Sequence, residues 1–181
     1  MSADTQLPRW EVFKQDAPGK AHAAVGSVHA AGAEHALLMA RTVFARRPSA
    51  ASMWLAPAAA VTTFTREQAA HAQTAPAEPS GAARRYLVFH KTSDRRSMVA
   101  CEHVGEVTAT SVADALRQAL AMRGEAPLAT WLVEAEALVE SDAADADAWF
   151  GPAKEKRYKQ QSEYAVPVRH HEARRAGEER A

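Results

Sequence analysis

A chain of 181 residues is long enough for one ordinary domain or for two small ones near the lower limit of independent stability. Its 22 basic and 22 acidic side chains cancel, which argues against a general nucleic-acid binder and weakens a membrane-surface reading. One cysteine, Cys101, allows neither an internal disulfide nor a cysteine-rich zinc site, and reads as a small strand residue. Met1 to Pro8 is short and polar, without the basic and apolar regions of a secretory signal. The longest apolar stretch, Ala50 to Val61, contains Ser52 and Pro57 and is too short to span a bilayer. These features predict a soluble cytoplasmic protein.

The chain repeats itself. Trp10–Lys14 resembles Tyr86–His90 at an offset of 76, and Val25–Val28 resembles Val104–Val107 at 79. Ala36, Leu37 and Ala40 match Ala115, Leu116 and Ala119 at 79, and Met53–Leu55 matches Thr130–Leu132 at 77. Matching blocks in the same order, with small indels between them, mark a tandem duplication.

In chain order, copy one opens with an aromatic-led strand, Trp10 to Lys14, and a turn at Asp16–Gly19. A second strand carries Val25-Gly26, whose glycine marks a bulge or a close backbone approach. A helix follows, with Ala33, Ala36, Leu37, Ala40, Val43 and Phe44 on one face, then a strand over Met53–Ala56. Copy two repeats this: Tyr86 to Lys91, a turn at Thr92–Arg95, and a strand with Gly105. Its helix places Val112, Ala115, Leu116, Ala119 and Met122 on one face, N-capped by Ser111 and stopped by Gly124, before a strand over Thr130–Val133.

The predicted fold is therefore α+β, two tandem β-β-α-β modules, each a small antiparallel sheet with one packed helix, plus an extended C-terminal arm. The domain reading is 1–67 for the first module, 68–83 for an Ala/Pro-rich linker, 84–148 for the second, and 149–181 for the arm and charged tail. Trp54 and Trp131 read as paired core or interface anchors.

Known catalytic patterns are missing. Eight histidines show no zinc spacing, and no glutamate begins the Glu-x-x-His element that ferritin-like di-iron sites require twice. Neither a phosphate-binding glycine loop nor a nucleophile elbow occurs. The carboxylates from Glu134 to Asp147 read as a solvated or partner-facing patch. His170-His171 reads as solvated tail, and His103 as a structural histidine on a strand.

Trp10–Phe13, Val25–Ala31, Ala33–Arg41 with Arg46-Arg47, and Ser52–Leu55 resemble the B subunit of phenylacetyl-CoA epoxidase, a multicomponent ring monooxygenase. Trp149–Lys154, with Tyr158 and Tyr164–Pro167, resembles that subunit's C-terminal arm, and copy two resembles a diverged core. The resemblance implies a non-catalytic bridging subunit. It implies partners that hold the chemistry: a ferritin-like di-iron subunit, its paired structural subunit, and a reductase with FAD and a 2Fe-2S cluster. This chain itself is expected to hold no cofactor or metal.

Two departures stand out. The family module is normally single, and here one arm follows two copies. Copy one has Ala24 where the family usually has histidine, whereas copy two keeps His103. Fused modules forming a pseudo-dimer, in place of a homodimer, are the reading that follows. Expected partner contacts are Trp10, Arg46, Arg47, Trp54, His103, Trp131, Trp149, Phe150, Tyr158 and Tyr164, with Lys154, Lys156 and Arg157 adding charge registry. The alternative is a stand-alone ligand-binding protein or enzyme with a pocket between the modules and His29 or His103 as its polar group.

Overall fold

The computed structural model describes residues 6–45, 50–74, 81–93, 101–123 and 125–155. Copy one opens as expected with an antiparallel hairpin, β1 (Arg9–Gln15) and β2 (Ala23–His29), turned through Gly19 at φ +81°. Helix α1 (Ala33–Phe44) and strand β3 (Ser52–Pro57) complete the β-β-α-β unit. Copy two repeats it as β5 (Arg84–Lys91), β6 (Cys101–Ala109), α3 (Val112–Ala121) and β7 (Ala129–Glu134).

Each unit then continues further than expected. After β3, a 3-10 turn (Ala58–Ala60) leads to β4 (Val61–Thr65) and α2 (Arg66–Thr74). After β7, the turn Ala135–Ala137 leads to β8 (Val139–Glu140) and α4 (Ala146–Glu155). The segment read as a linker from Gln68 is thus helical to Thr74, and the beginning of the arm is helical too. Gly124, the second turn beyond Ser93, and the chain from residue 156 onward lie outside the described residues.

The eight strands among the described residues form one sheet in the order β4-β7-β5-β6-β2-β1-β3-β8. The order reads the same from either end once the copies are interchanged, with the fourth strand of each copy added to the other copy's edge. Only three residues separate β3 from β4. That connection reaches at most about 14 Å, whereas six spacings across a flat sheet would cover about 29 Å. The sheet must therefore fold back on itself, bringing the two half-sheets face to face. Stacking of Phe13 on β1 against Phe89 on β5, 4.2 Å between ring centres, shows that it does.

Strand alternation sorts the side chains into three layers. Val12, Met53 and Leu55 face α1 with Ala36 and Ala40, all unexposed. Val88 and Leu132 face α3 with Ala115, Leu116 and Ala119. Phe13, Ala24, Leu87, Phe89, Cys101 and Val133 fill the space between the half-sheets. Small helix residues let α1 and α3 sit close on their strands. Val43 and Met122, assigned to the inner faces, are instead 47% and 38% exposed.

Both predicted glycine sites are bulges. Gly26 at φ +144° and Gly105 at φ +150° lie where the β1–β2 and β5–β6 registers shift. A Cβ on Gly26 would meet the Phe44 ring at 2.9 Å. Ser111 caps α3 as expected, its Oγ accepting the Asp114 N–H at 3.2 Å.

Candidate functional site

The seam between the half-sheets holds imidazole, indole, carboxylate and guanidinium groups. At one end β2 and β6 meet through a single register pair, Ala23 with Glu102, and the His103 N–H donates to the His22 carbonyl at 2.8 Å. Here His22 stacks on the Trp54 indole, 3.5 Å between ring centres, and His103 meets the same ring edge-on at 5.3 Å. His22 Nε2 lies 2.6 Å from the Ser52 hydroxyl, which itself donates to Gln15 Oε1. Burial, with His103 beside it, pushes His22 down to about 4. Burial also lowers His103, against an opposing pull from Glu106 and a backbone hydrogen bond at Gly105. Both rings are neutral at pH 7, and His103 Nε2 is buried without a hydrogen-bond partner among the described residues.

At the other end, the seam opens into a cavity of about 360 Å³. Arg9 and Glu11 of β1 and Ser27 of β2 form its polar wall, and Ala58, with Val61 and Thr63 of β4 and Trp131 of β7, completes the lining. Glu11 is only 7% exposed, and Arg9 Nε contacts its Oε1 at 3.1 Å. Burial raises the Glu11 carboxyl above the usual carboxylate range, and the Arg9 charge partly opposes this. Strand exchange builds this site, because β4 of copy one runs beside β7 of copy two, Thr63 opposite Trp131.

The exchanged helices lock the halves from outside. Phe150 of α4 is 2% exposed in the α1 cluster, beside Trp149. Pro152 lies inside α4 and cannot donate to the Ala148 carbonyl four residues back. Arg41 of α1 supplies donors there instead, Nη2 to Ala148 O at 3.4 Å and Nε to Trp149 O at 2.9 Å, with its guanidinium 5.3 Å from the Trp149 ring centre. In the corresponding place α2 packs on α3 through Ala69. A reciprocal capping box starts α2: Gln68 Oε1 accepts the Thr65 N–H, and Thr65 Oγ1 accepts the Gln68 N–H.

Two whole units, each with its own terminal strand and helix, are what the comparisons with known proteins find. The family described as phenylacetic acid degradation B (PaaB) matches residues 6–79 and again residues 83–171. The chain belongs to the PaaB family. Membership places it in the degradation of phenylacetic acid. No curated protein and no solved structure gives a match.

Against the PaaB assignment, the expected contact residues fall into separate groups. Trp10 is half-buried against the α1 cluster, its indole N–H donating to Ala30 O at 3.3 Å. Trp54 and His103 meet at one end of the seam, Trp131 lines the cavity at the other, and Trp149 with Phe150 forms the α4 lock. Arg46, Arg47, Tyr158, Tyr164, Lys156 and Arg157 lie outside the described residues, as does the side chain of Lys154. The cavity between the modules exists, but Arg9, Glu11 and Trp131 line it rather than His29 or His103. His29 is exposed, with Nδ1 2.7 Å from Leu7 O.

Sequence reasoning missed Glu11, His22 and Arg41. Glu11 carried a signal: it sits at the strand position where copy two has the core residue Leu87. Among the described residues, no helix is long and apolar enough to cross a membrane, and no cluster of three metal-ligating side chains occurs.

Proposed function

We propose that this chain serves phenylacetic acid degradation as the non-catalytic bridging subunit of a di-iron monooxygenase that epoxidises phenylacetyl-CoA. The di-iron centre, FAD and 2Fe-2S cluster reside in partner subunits: a ferritin-like catalytic subunit with its paired structural subunit, and a reductase. The carrying observation is the reciprocal strand exchange, which gives one polypeptide a two-copy body. A bridge needs two related faces held rigidly, and the fused pair provides both.

The described surface suggests which face makes contact. Leu38, Met39 and Val43 of α1 are 53%, 38% and 47% exposed, a cluster of apolar side chains on one helix. At an offset of 79, α3 has Arg117 and Gln118 in place of the first two. The partner's docking strength therefore belongs mainly to copy one, which makes the bridge asymmetric.

Co-expression with the ferritin-like pair tests the reading. The expected result is a complex retained through purification, with one copy of the chain at each bridge by native mass measurement. Leu38→Glu should weaken retention by at least about tenfold, roughly 1.4 kcal/mol, while leaving the thermal midpoint of the isolated chain unchanged. An obligate homodimer of the chain would count against the fused-bridge form. No association, together with turnover by the chain alone, would overturn the bridging role.

A further inference from the structure

We infer that the cavity lined by Arg9, Glu11 and Trp131 binds a small neutral molecule carrying an amide beside an aromatic body. This site is independent of the bridging role.

The repeat supplies an internal control. At the position equivalent to Glu11, copy two has Leu87, 2% exposed in the central apolar cluster. A leucine therefore fits this strand position, yet copy one keeps a carboxylate there at 7% exposure. Removing a carboxylate from water is costly. Among the described residues, the only side-chain partner of Glu11 is Arg9, whose own side chain is 57% exposed. Such an arrangement adds little to folding, and it sets an acceptor and a set of donors side by side at a cavity.

The chemistry of the wall selects the ligand. An amide presents an N–H and a carbonyl a short distance apart, matching the free oxygen sites of Glu11 and the remaining N–H groups of Arg9. A ligand carboxylate would meet the Glu11 charge, and a simple cation would meet that of Arg9. In the same lining, Val61 and the half-buried Trp131 offer an apolar surface for a flat body. About 360 Å³ lies within the range of small-molecule sites, roughly 300–1,000 Å³.

Copy two lacks the equivalent. There Arg85 pairs with Glu106 at 3.4 Å, both more than two-fifths exposed, and the Trp54 indole is already stacked by His22. The site forms once per chain.

Benzamide is the probe, read by the indole N–H resonances of the full chain. The chain has four tryptophans, and Trp131→Phe identifies the signal required. Benzamide should shift the Trp131 signal saturably, with a Kd on the order of 1 mM or below, as expected of a fragment this size. Benzoate, equal in size but anionic, should bind at least about tenfold more weakly. Glu11→Leu, which copies the residue of copy two, should abolish the shift while the Trp10 and Trp149 signals stay in place. Arg9→Ala, at an exposed position, should weaken benzamide too and guards against a folding defect in the first variant. An unshifted Trp131 signal, equal binding of benzoate, or full binding to either variant overturns the proposal.

Discussion

Gly26 shows how one residue carries both a bulge and a packing contact. At φ +144° any other residue is strained, and its Cβ would press into the Phe44 ring at 2.9 Å. Gly26→Ala should cost about 1–3 kcal/mol, measured by urea unfolding. Gly105, whose nearest neighbour is the end of the flexible Met122 side chain at 3.3 Å, should tolerate the change better. The histidines make a second residue-scale prediction. His22, held at about 4 against an ordinary 6.5, stays neutral in the fold where the unfolded chain takes up a proton. Stability from this group is complete above pH 6.5 and is lost as pH falls toward 4, at roughly 1.4 kcal/mol per pH unit for one proton. His90 and His103, also lowered by burial, act in the same direction. Glu11, raised by burial, has the opposite sign and softens the slope near its own titration. Unfolding midpoints measured on either side of pH 6 should show the fall, and His22→Phe should flatten it.

At the scale of elements, α4 draws hydrogen-bond donors from α1. Pro152 leaves the Ala148 carbonyl without its helical donor, and Arg41 reaches across to fill the gap. Arg41→Ala should loosen α4, costing about 1–2 kcal/mol and shifting Trp149 emission to the red. Thr65→Ala, which removes half of the capping box, should fray α2 by about 1 kcal/mol, read as lost helical circular dichroism. These elements also mark how far the sequence could be read. The hairpins, α1, α3 and their closing strands were legible because each carries a local pattern: alternation, helical spacing, a capping serine, a bulge glycine. β8 is two residues long and α2 presents few apolar side chains, so neither has a periodicity to detect. The Thr65-x-x-Gln68 box, which begins at the end of the first module, is the one local signal of α2. The exchange of β4 and β8 is a pairing between distant segments, and nothing in either strand alone specifies its neighbour. For the seam, the tryptophans were visible as anchors, but their grouping with His22 and Glu11 depends on the sheet folding back.

The whole molecule does not divide where its sequence does. Each structural half consists of three strands and a helix from one copy and a strand and a helix from the other. Cutting the chain between residues 79 and 83, the limits of the two family matches, should leave the body intact, since no described strand or helix crosses that point. Residues 1–79 expressed alone should lack the edge strand and lock that copy two provides, and the remainder should lack those that copy one provides. Each fragment should be largely unfolded or self-associated, and mixing should restore a one-to-one complex by sedimentation. Independent folding of either fragment would show that the exchange is dispensable.

Fusion also changes what a mutation means for this seam. In a body assembled from two identical chains, every substitution is felt twice, once on each side of the axis. A charge as poorly solvated as Glu11 would then be buried in duplicate, and its cost doubled. Encoding both halves in one reading frame removes that constraint, so a residue can be tried on one side while its counterpart, here Leu87, keeps the core closed. The asymmetry of the seam is thus a freedom that only the duplicated gene has.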